Sequence, residues 1–201
     1  GERLEAQRPS WEAVRRAGGK VFVAGYHGSF ELVGDLQDVL VFAGPPDADE
    51  AAKYHGVGHQ IFSYANPQCG CEEPLRYRRN FGLLLWKKDF DGAMDYAYQH
   101  SFTHVWNDFD NVHYRDHVMA YPTVDGVIDT LQWEGYREGV DDTRYLATLL
   151  EAIRSAAPKK KPLAEAAQKW LDELDVSGDL DAIRASLIDW ILKLGPEGVA
   201  S

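Results

Sequence analysis

The chain has 201 residues, 45% hydrophobic and 12% aromatic, enough for a packed core and too apolar for a largely disordered protein. Its 21 Lys and Arg stand against 32 Asp and Glu, a formal charge of -11 that repels a phosphate backbone, so no nucleic-acid partner is expected. No apolar run approaches the roughly 20 residues that span a bilayer, so no membrane partner is expected either.

The N-terminus lacks the charged-then-apolar layout of a secretory signal, but it opens on Gly1 rather than Met, which leaves the compartment open, secreted or periplasmic included. Ser10 is placed to cap a helix from Trp11 to Arg16 that Gly18-Gly19 ends. Three continuous apolar runs follow, Lys20 to Tyr26, Val39 to Ala43 and Gln60 to Ala65. Such runs are typical of strands buried on both faces of a parallel sheet. Between the last two, Pro46 and Asp47 open a short helix through Asp49 to Tyr54 that Gly56 and Gly58 close. Leu75 to Lys88 reads as a longer helix with Leu83, Leu84, Leu85 and Trp86 on its apolar side, and Asp91-Gly92 turns the chain into a fourth strand, Ala93 to Tyr98. Residues 99 to 128 form a loop with five aromatics and four histidines, far longer than the usual βα connection of about two to six residues, and loops of that size carry function. Asp129 or Thr130 starts a helix that Tyr145, Leu146, Leu149, Leu150 and Ile153 continue to about Ser155. Pro158 to Pro162 is a basic linker, followed by amphipathic helices over Leu163 to Leu174 and Leu180 to Leu194, with Gly178 and Asp179 as stop and cap.

The alternation is an α/β fold of about four parallel βα units, the second half of a (βα)8 or TIM barrel, since a full barrel takes about 250 residues. The domain reading is a half-barrel over 1–157, a linker over 158–162 and a helical pair over 163–201. The rival, an open doubly wound sheet binding a nucleotide, lacks its phosphate loop, because Gly25-Tyr26-His27-Gly28 has no glycine-rich spacing. Four strands leave open edges and an uncovered apolar face, so a homo-oligomer is expected, or else the terminal helices folded over the opening.

No cofactor or metal is expected. Cys69-Gly70-Cys71 is neither a disulfide framework nor a four-ligand zinc set; free loop thiols are the default, although Gly70 gives a strained bridge the latitude it needs. His55 and His59 have the spacing of a zinc pair, but Gly56 and Gly58 end the helix there and no Glu lies between them. Asp108-Phe109-Asp110-Asn111 lacks the Gly and distal Glu of an EF-hand. Gly135 and Gly139 share a helix face and admit a close neighbour. Beside them Glu134 and Glu138 lie near Arg137, Asp141 and Asp142, which reads as an ion-pair cluster rather than a catalytic acid, since barrel catalysts sit at strand ends. The strand ends and the long loop gather Tyr26, His27, Tyr64, Asn66, Tyr98, His100, Trp106, Asn107 and Asp108 as the candidate binding set. Aromatic faces stack on the C-H patches of a sugar while amide and carboxylate groups meet its hydroxyls.

Two stretches carry a family resemblance. One is Asn80-Phe81-Gly82-Leu83-Leu84-Leu85-Trp86-Lys87 with Asp91-Gly92-Ala93-Met94-Asp95-Tyr96-Ala97-Tyr98 and then Trp106. The other is Tyr121-Pro122-Thr123-Val124-Asp125-Gly126, Leu131-Gln132-Trp133-Glu134-Gly135-Tyr136-Arg137-Glu138-Gly139-Val140-Asp141-Asp142 and Tyr145-Leu146. Together they resemble the C-terminal half of a glycoside-hydrolase-like TIM barrel of the β-N-acetylgalactosaminidase type and its uncharacterised bacterial relatives. Thr123 stands where that family has Gly, Gln132 where it has Arg, and Thr143-Arg144 where it has Tyr-Glu. The resemblance implies O-glycosyl hydrolysis with carbohydrate as partner. It also implies that the adjacent Asp-Glu catalytic pair lies on the fourth strand, before Ser10, so that this chain supplies binding walls and associates with a missing N-terminal half. No catalytic residue is assigned here, although Asp108 and Asp110 are the loop carboxylates close to the aromatic rim. The alternative is a non-catalytic carbohydrate-binding or assembly module.

Overall fold

The computed structural model describes residues 2–64, 72–113 and 115–195. Helices α1 (Glu2–Glu5) and α2 (Arg8–Arg16) lead into strand β1 (Phe22–Gly25), helix α3 (Ser29–Val33) and strand β2 (Val39–Phe42). Helix α4 (Ala48–Gly56), strand β3 (Gln60–Ser63), helices α5 (Pro74–Asn80) and α6 (Leu83–Lys87) and strand β4 (Gly92–Ala93) follow. Two ribbons, β5 (Gln99–His100) with β6 (His117–Val118) and β7 (Ala120–Pro122) with β8 (Val127–Asp129), precede helices α7 (Leu131–Arg154), α8 (Lys161–Asp172) and α9 (Leu180–Leu194).

The fold is mixed α/β around one parallel sheet in the order β1-β2-β3-β4. The expected strands are all present, with the three apolar runs trimmed at their ends. Helix boundaries follow their caps. Asp47 accepts the Asp49 N–H at 3.0 Å to open α4, and Gly58, at φ +77°, turns the chain after it. Thr130 caps α7 through the Trp133 N–H at 3.3 Å, and Asp179 caps α9 through the Asp181 N–H at 2.9 Å.

Four expectations are corrected. Ser10 lies inside α2, which begins two residues earlier and carries Pro9 in its first turn. The helix expected over 75–88 breaks at Phe81-Gly82, where a Cβ on Gly82 would lie 2.5 Å from the Arg78 carbonyl and 2.9 Å from that of Gly139. The fourth strand stops at Ala93: Met94 still donates to the Ser63 carbonyl at 2.7 Å, but Asp95 then accepts the Tyr96 N–H at 2.8 Å, a local bond that competes with the ladder. The basic linker is a 3-10 turn over Pro158–Lys160 that runs directly into α8.

Register assigns the two faces of the sheet. Leu40, Ile61, Phe42 and Ala93 point to the helices and pack with Ala51, Tyr54, Leu85 and Phe90. The opposite face carries Phe22, Val39 and Gln60, then Ala24, Val41, Phe62 and Gly92, and at its end Tyr26, Ala43 and Tyr64. This face is partly open, with Phe22 58% exposed. Helices α8 and α9 do not fold over it. Their leucines join Leu83, Leu146 and Leu149 in a separate core with α6 and α7. There α7 crosses α5 closely, because a Cβ on Gly135 would lie 2.2 Å from the Pro74 carbonyl and one on Gly139 2.7 Å from that of Arg78. No helix among the described residues is long and apolar enough to cross a membrane.

Candidate functional site

Three groups of side chains follow the sheet strands in the chain, one in the turn after β1, one on the β5–β6 ribbon and one in the long loop. The first is set by the turn after β1. Gly28 takes φ +83°, the Ser29 hydroxyl accepts the Tyr26 N–H at 3.1 Å, and a Cβ on Gly25 would lie 2.8 Å from that hydroxyl. The turn presents Tyr26, 65% exposed, and His27. Tyr26 and Tyr64 end in-register strands on the same face. Burial and then the Tyr26 hydroxyl, with Tyr96 beside them, raise the Tyr64 phenol above its ordinary 10.0.

The second group is held by the β5–β6 ribbon. The Tyr96 ring lies 5.5 Å from His100 and 5.5 Å from His117, and Phe102 stands edge-on to His100 at 4.9 Å. Asp116, 1% exposed, anchors the group by accepting the Phe102 N–H at 2.9 Å. Tyr98 packs edge-on against Trp133 of α7 at 5.9 Å.

The third group belongs to the long loop. Trp106 stacks on Tyr121 with centroids 5.2 Å apart and remains 50% exposed. Asp108 accepts the Tyr121 hydroxyl at 2.9 Å and Arg115 at 2.7 Å, and Arg115 also grips Glu72 at 2.5 and 2.9 Å. Burial, then Asp108, pushes the Tyr121 phenol up to about 12. Arg115 holds the Glu72 carboxyl below its ordinary value. Both Asp108 oxygens are therefore engaged, Oδ1 by Tyr121, which stacks on Trp106, and Oδ2 by Arg115. Asn107 shapes the loop by accepting the Phe109 N–H at 3.3 Å, and Asp110 accepts the His104 N–H at 2.8 Å.

Eight of the nine candidate residues fall within these three groups, and Asn66, like Cys69 and Cys71, is outside the described residues. Tyr96, Phe102 and His117 join the second group, and Tyr121, Arg115 and Glu72 the third, without having been singled out as site residues. The aromatic density of 99–128 was their signal in part, whereas Arg115 and Glu72 are 43 residues apart and nothing in the sequence pairs them. Glu134 is away from the rim on α7, bound to Arg137 at 2.8 Å within the anticipated ion-pair cluster. His55 sits between Asp89 at 3.2 Å and Asp91 at 3.0 Å, bridging the end of α4 to the approach to β4. Among the described residues no group of three or more His, Cys, Asp or Glu side chains could hold a metal ion.

The structure is similar to that of a family 123 glycoside hydrolase from Clostridium perfringens, solved in a study of glycolipid glycan hydrolysis. The TM-score is 0.55 at 11% identity, covering 87% of this chain and 36% of that one. The fold is glycoside-hydrolase-like. No family model matches the chain, and no curated protein matches it in sequence. The chain thus spans 36% of the length of the solved structure it resembles.

Proposed function

We propose that the chain forms the second half of a glycoside-hydrolase-like (βα)8 barrel and supplies its carbohydrate-binding wall, with the catalytic carboxylate pair on four preceding βα units. The observation that carries this reading is the rim itself. Exposed Tyr26 and Tyr96 follow the C-terminal ends of the parallel strands β1 and β4, where barrel enzymes bind their substrates, and the half-exposed, stacked Trp106 lies in the long loop that continues from β4. Ring faces there suit the C-H patches of a pyranose, and His27, Asn107 and the tyrosine hydroxyls suit its hydroxyl groups. The partly open sheet face supports the same reading, because parallel sheets are ordinarily covered on both sides and four further units would cover this one. Glycoside hydrolysis needs two carboxyl groups flanking the bond. At this wall Asp108 is committed to Arg115 and Tyr121.

The division of labour is tested by assay. The chain by itself is expected to give no turnover of aryl β-glycosides or aryl β-N-acetylhexosaminides above background. A rate that persists in pure protein and disappears in Asp108→Asn overturns the proposal by placing the catalytic group here. The open face and the β1 edge are also expected to drive self-association, read as a dimer or larger species by light scattering. A monomer at high concentration counts against that face being an interface.

A further inference from the structure

Glu50 lies in the first turn of α4 and is only 4% exposed, a depth at which carboxylates are ordinarily fully partnered. Its Oε1 accepts Lys53 Nζ at 2.6 Å and lies 3.4 Å from His27 Nδ1. Its Oε2 has no hydrogen-bond partner among the described residues. Lys53 is shared with Glu31 of α3 at 2.7 Å, so the lysine is doubly engaged and the carboxylate keeps spare accepting capacity. The His27 side chain is 56% exposed, with its ring edge-on to the buried Phe42 at 4.8 Å. The groups that face it are therefore Glu50 and Lys53 of α4, Glu31 of α3 and Phe42 of β2.

We infer that Glu50 and His27 form a dyad in which Glu50 is the positioning residue and His27 takes a hydroxyl hydrogen of a neutral sugar. The inference rests on the reading of the rim as a carbohydrate wall. A carboxylate beside Nδ1 holds the imidazole proton on that nitrogen, which leaves the Nε2 lone pair as a fixed acceptor. At 3.4 Å the two groups are in contact without a formed hydrogen bond, and a proton on Nδ1 is what would draw them together. An acceptor calls for a donor, and a sugar hydroxyl is one. A uronate carboxylate or a sulfate is not, so the dyad favours a neutral hydroxyl over an acidic group at that position.

The first measurement needs no ligand. In 15N-labelled protein, at an alkaline pH where the ring nitrogen shifts are those of a neutral imidazole, correlations through the ring protons report which His27 nitrogen carries hydrogen. The wild type is expected to carry it on Nδ1, and Glu50→Ala to move it toward Nε2. A wild-type proton on Nε2 overturns the dyad, whether or not Glu50→Ala folds. The second measurement titrates methyl β-N-acetylglucosaminide and methyl β-glucuronide. The neutral sugar is expected to shift His27 Nε2 and to bind roughly fivefold more weakly to His27→Phe, the loss of about one hydrogen bond, while the glucuronide shifts it less. A neutral sugar that moves the Trp106 indole but not His27 overturns the dyad and leaves the carbohydrate wall standing. A sugar that moves neither overturns the wall, and the hydroxyl contact with it.

Discussion

Arg78 and Arg115 are each held between two carboxylates, yet one lies in the helical layer and the other at the rim. Arg78 is 5% exposed and meets the fully buried Asp142 at 2.7 and 3.2 Å. Arg184 reaches the same carboxylate at 2.5 Å, and Asp181 takes the remaining face of Arg78 at 2.6 Å. The result ties α5, α7 and α9 together where glycines let the helices touch. Arg115 keeps 37% of its side chain exposed and ties a loop to the chain just before α5, beside rings that are half in solvent. A desolvated charge must be matched or the fold fails, whereas a charge in reach of water costs little to free and serves to aim its neighbours.

The largest expected effect follows from breaking the buried member. Asp142→Ala leaves Arg78 and Arg184 without their shared counter-charge and should lower stability by about 3–5 kcal/mol in urea unfolding. Glu72→Gln, which removes the 53% exposed partner of Arg115, should cost less than about 1 kcal/mol. Equal losses would remove the distinction between the two regions. Next comes Gly135→Ala, whose Cβ would sit 2.2 Å from the Pro74 carbonyl while a Cβ on Gly126 meets nothing within 4 Å. The first should cost about 1–3 kcal/mol and Gly126→Ala less than about 0.5 kcal/mol, a contrast that thermal melts would show.

A smaller effect sharpens the picture between the two regions. The Asp91 hydrogen bond foremost, and Asp89, raise the His55 imidazole above its ordinary 6.5, so the folded state binds that proton more tightly than the unfolded chain. Its stabilisation is complete below the unfolded value and is lost as pH rises through the raised folded one. Wild type should therefore lose its advantage over His55→Gln as pH rises from below the ordinary imidazole value through the raised folded one. A difference that does not change with pH contradicts the bridge.

Much of the scaffold was legible because its signals are local. Unbroken apolar runs located β1, β2 and β3; Asp47, Thr130 and Asp179 announced their caps; and Gly135 with Gly139 announced a close helix contact. What was hidden depends on partners far along the chain. The break at Gly82 exists because α7 presses on it through Gly139, and the ribbons of 99–129 are two or three residues long, too short for any periodicity to show. The site divides the same way. Aromatic and histidine density marked the long loop, but the pairings that aim its rings, Arg115 with Glu72 and Glu50 with His27, join residues brought together only by the fold.

The most direct test of the central claim is a titration of tryptophan fluorescence with N-acetylhexosamines and neutral hexoses, comparing wild type with Trp106→Ala at matched stability. One ring stacked on a pyranose contributes about 1 kcal/mol, comparable with aromatic pairs, so affinity in the millimolar range is expected. Saturable quenching in the wild type that disappears in Trp106→Ala is the expected result. Absence of a response in the wild type, or binding that survives the substitution unchanged, would contradict the rim as the sugar wall.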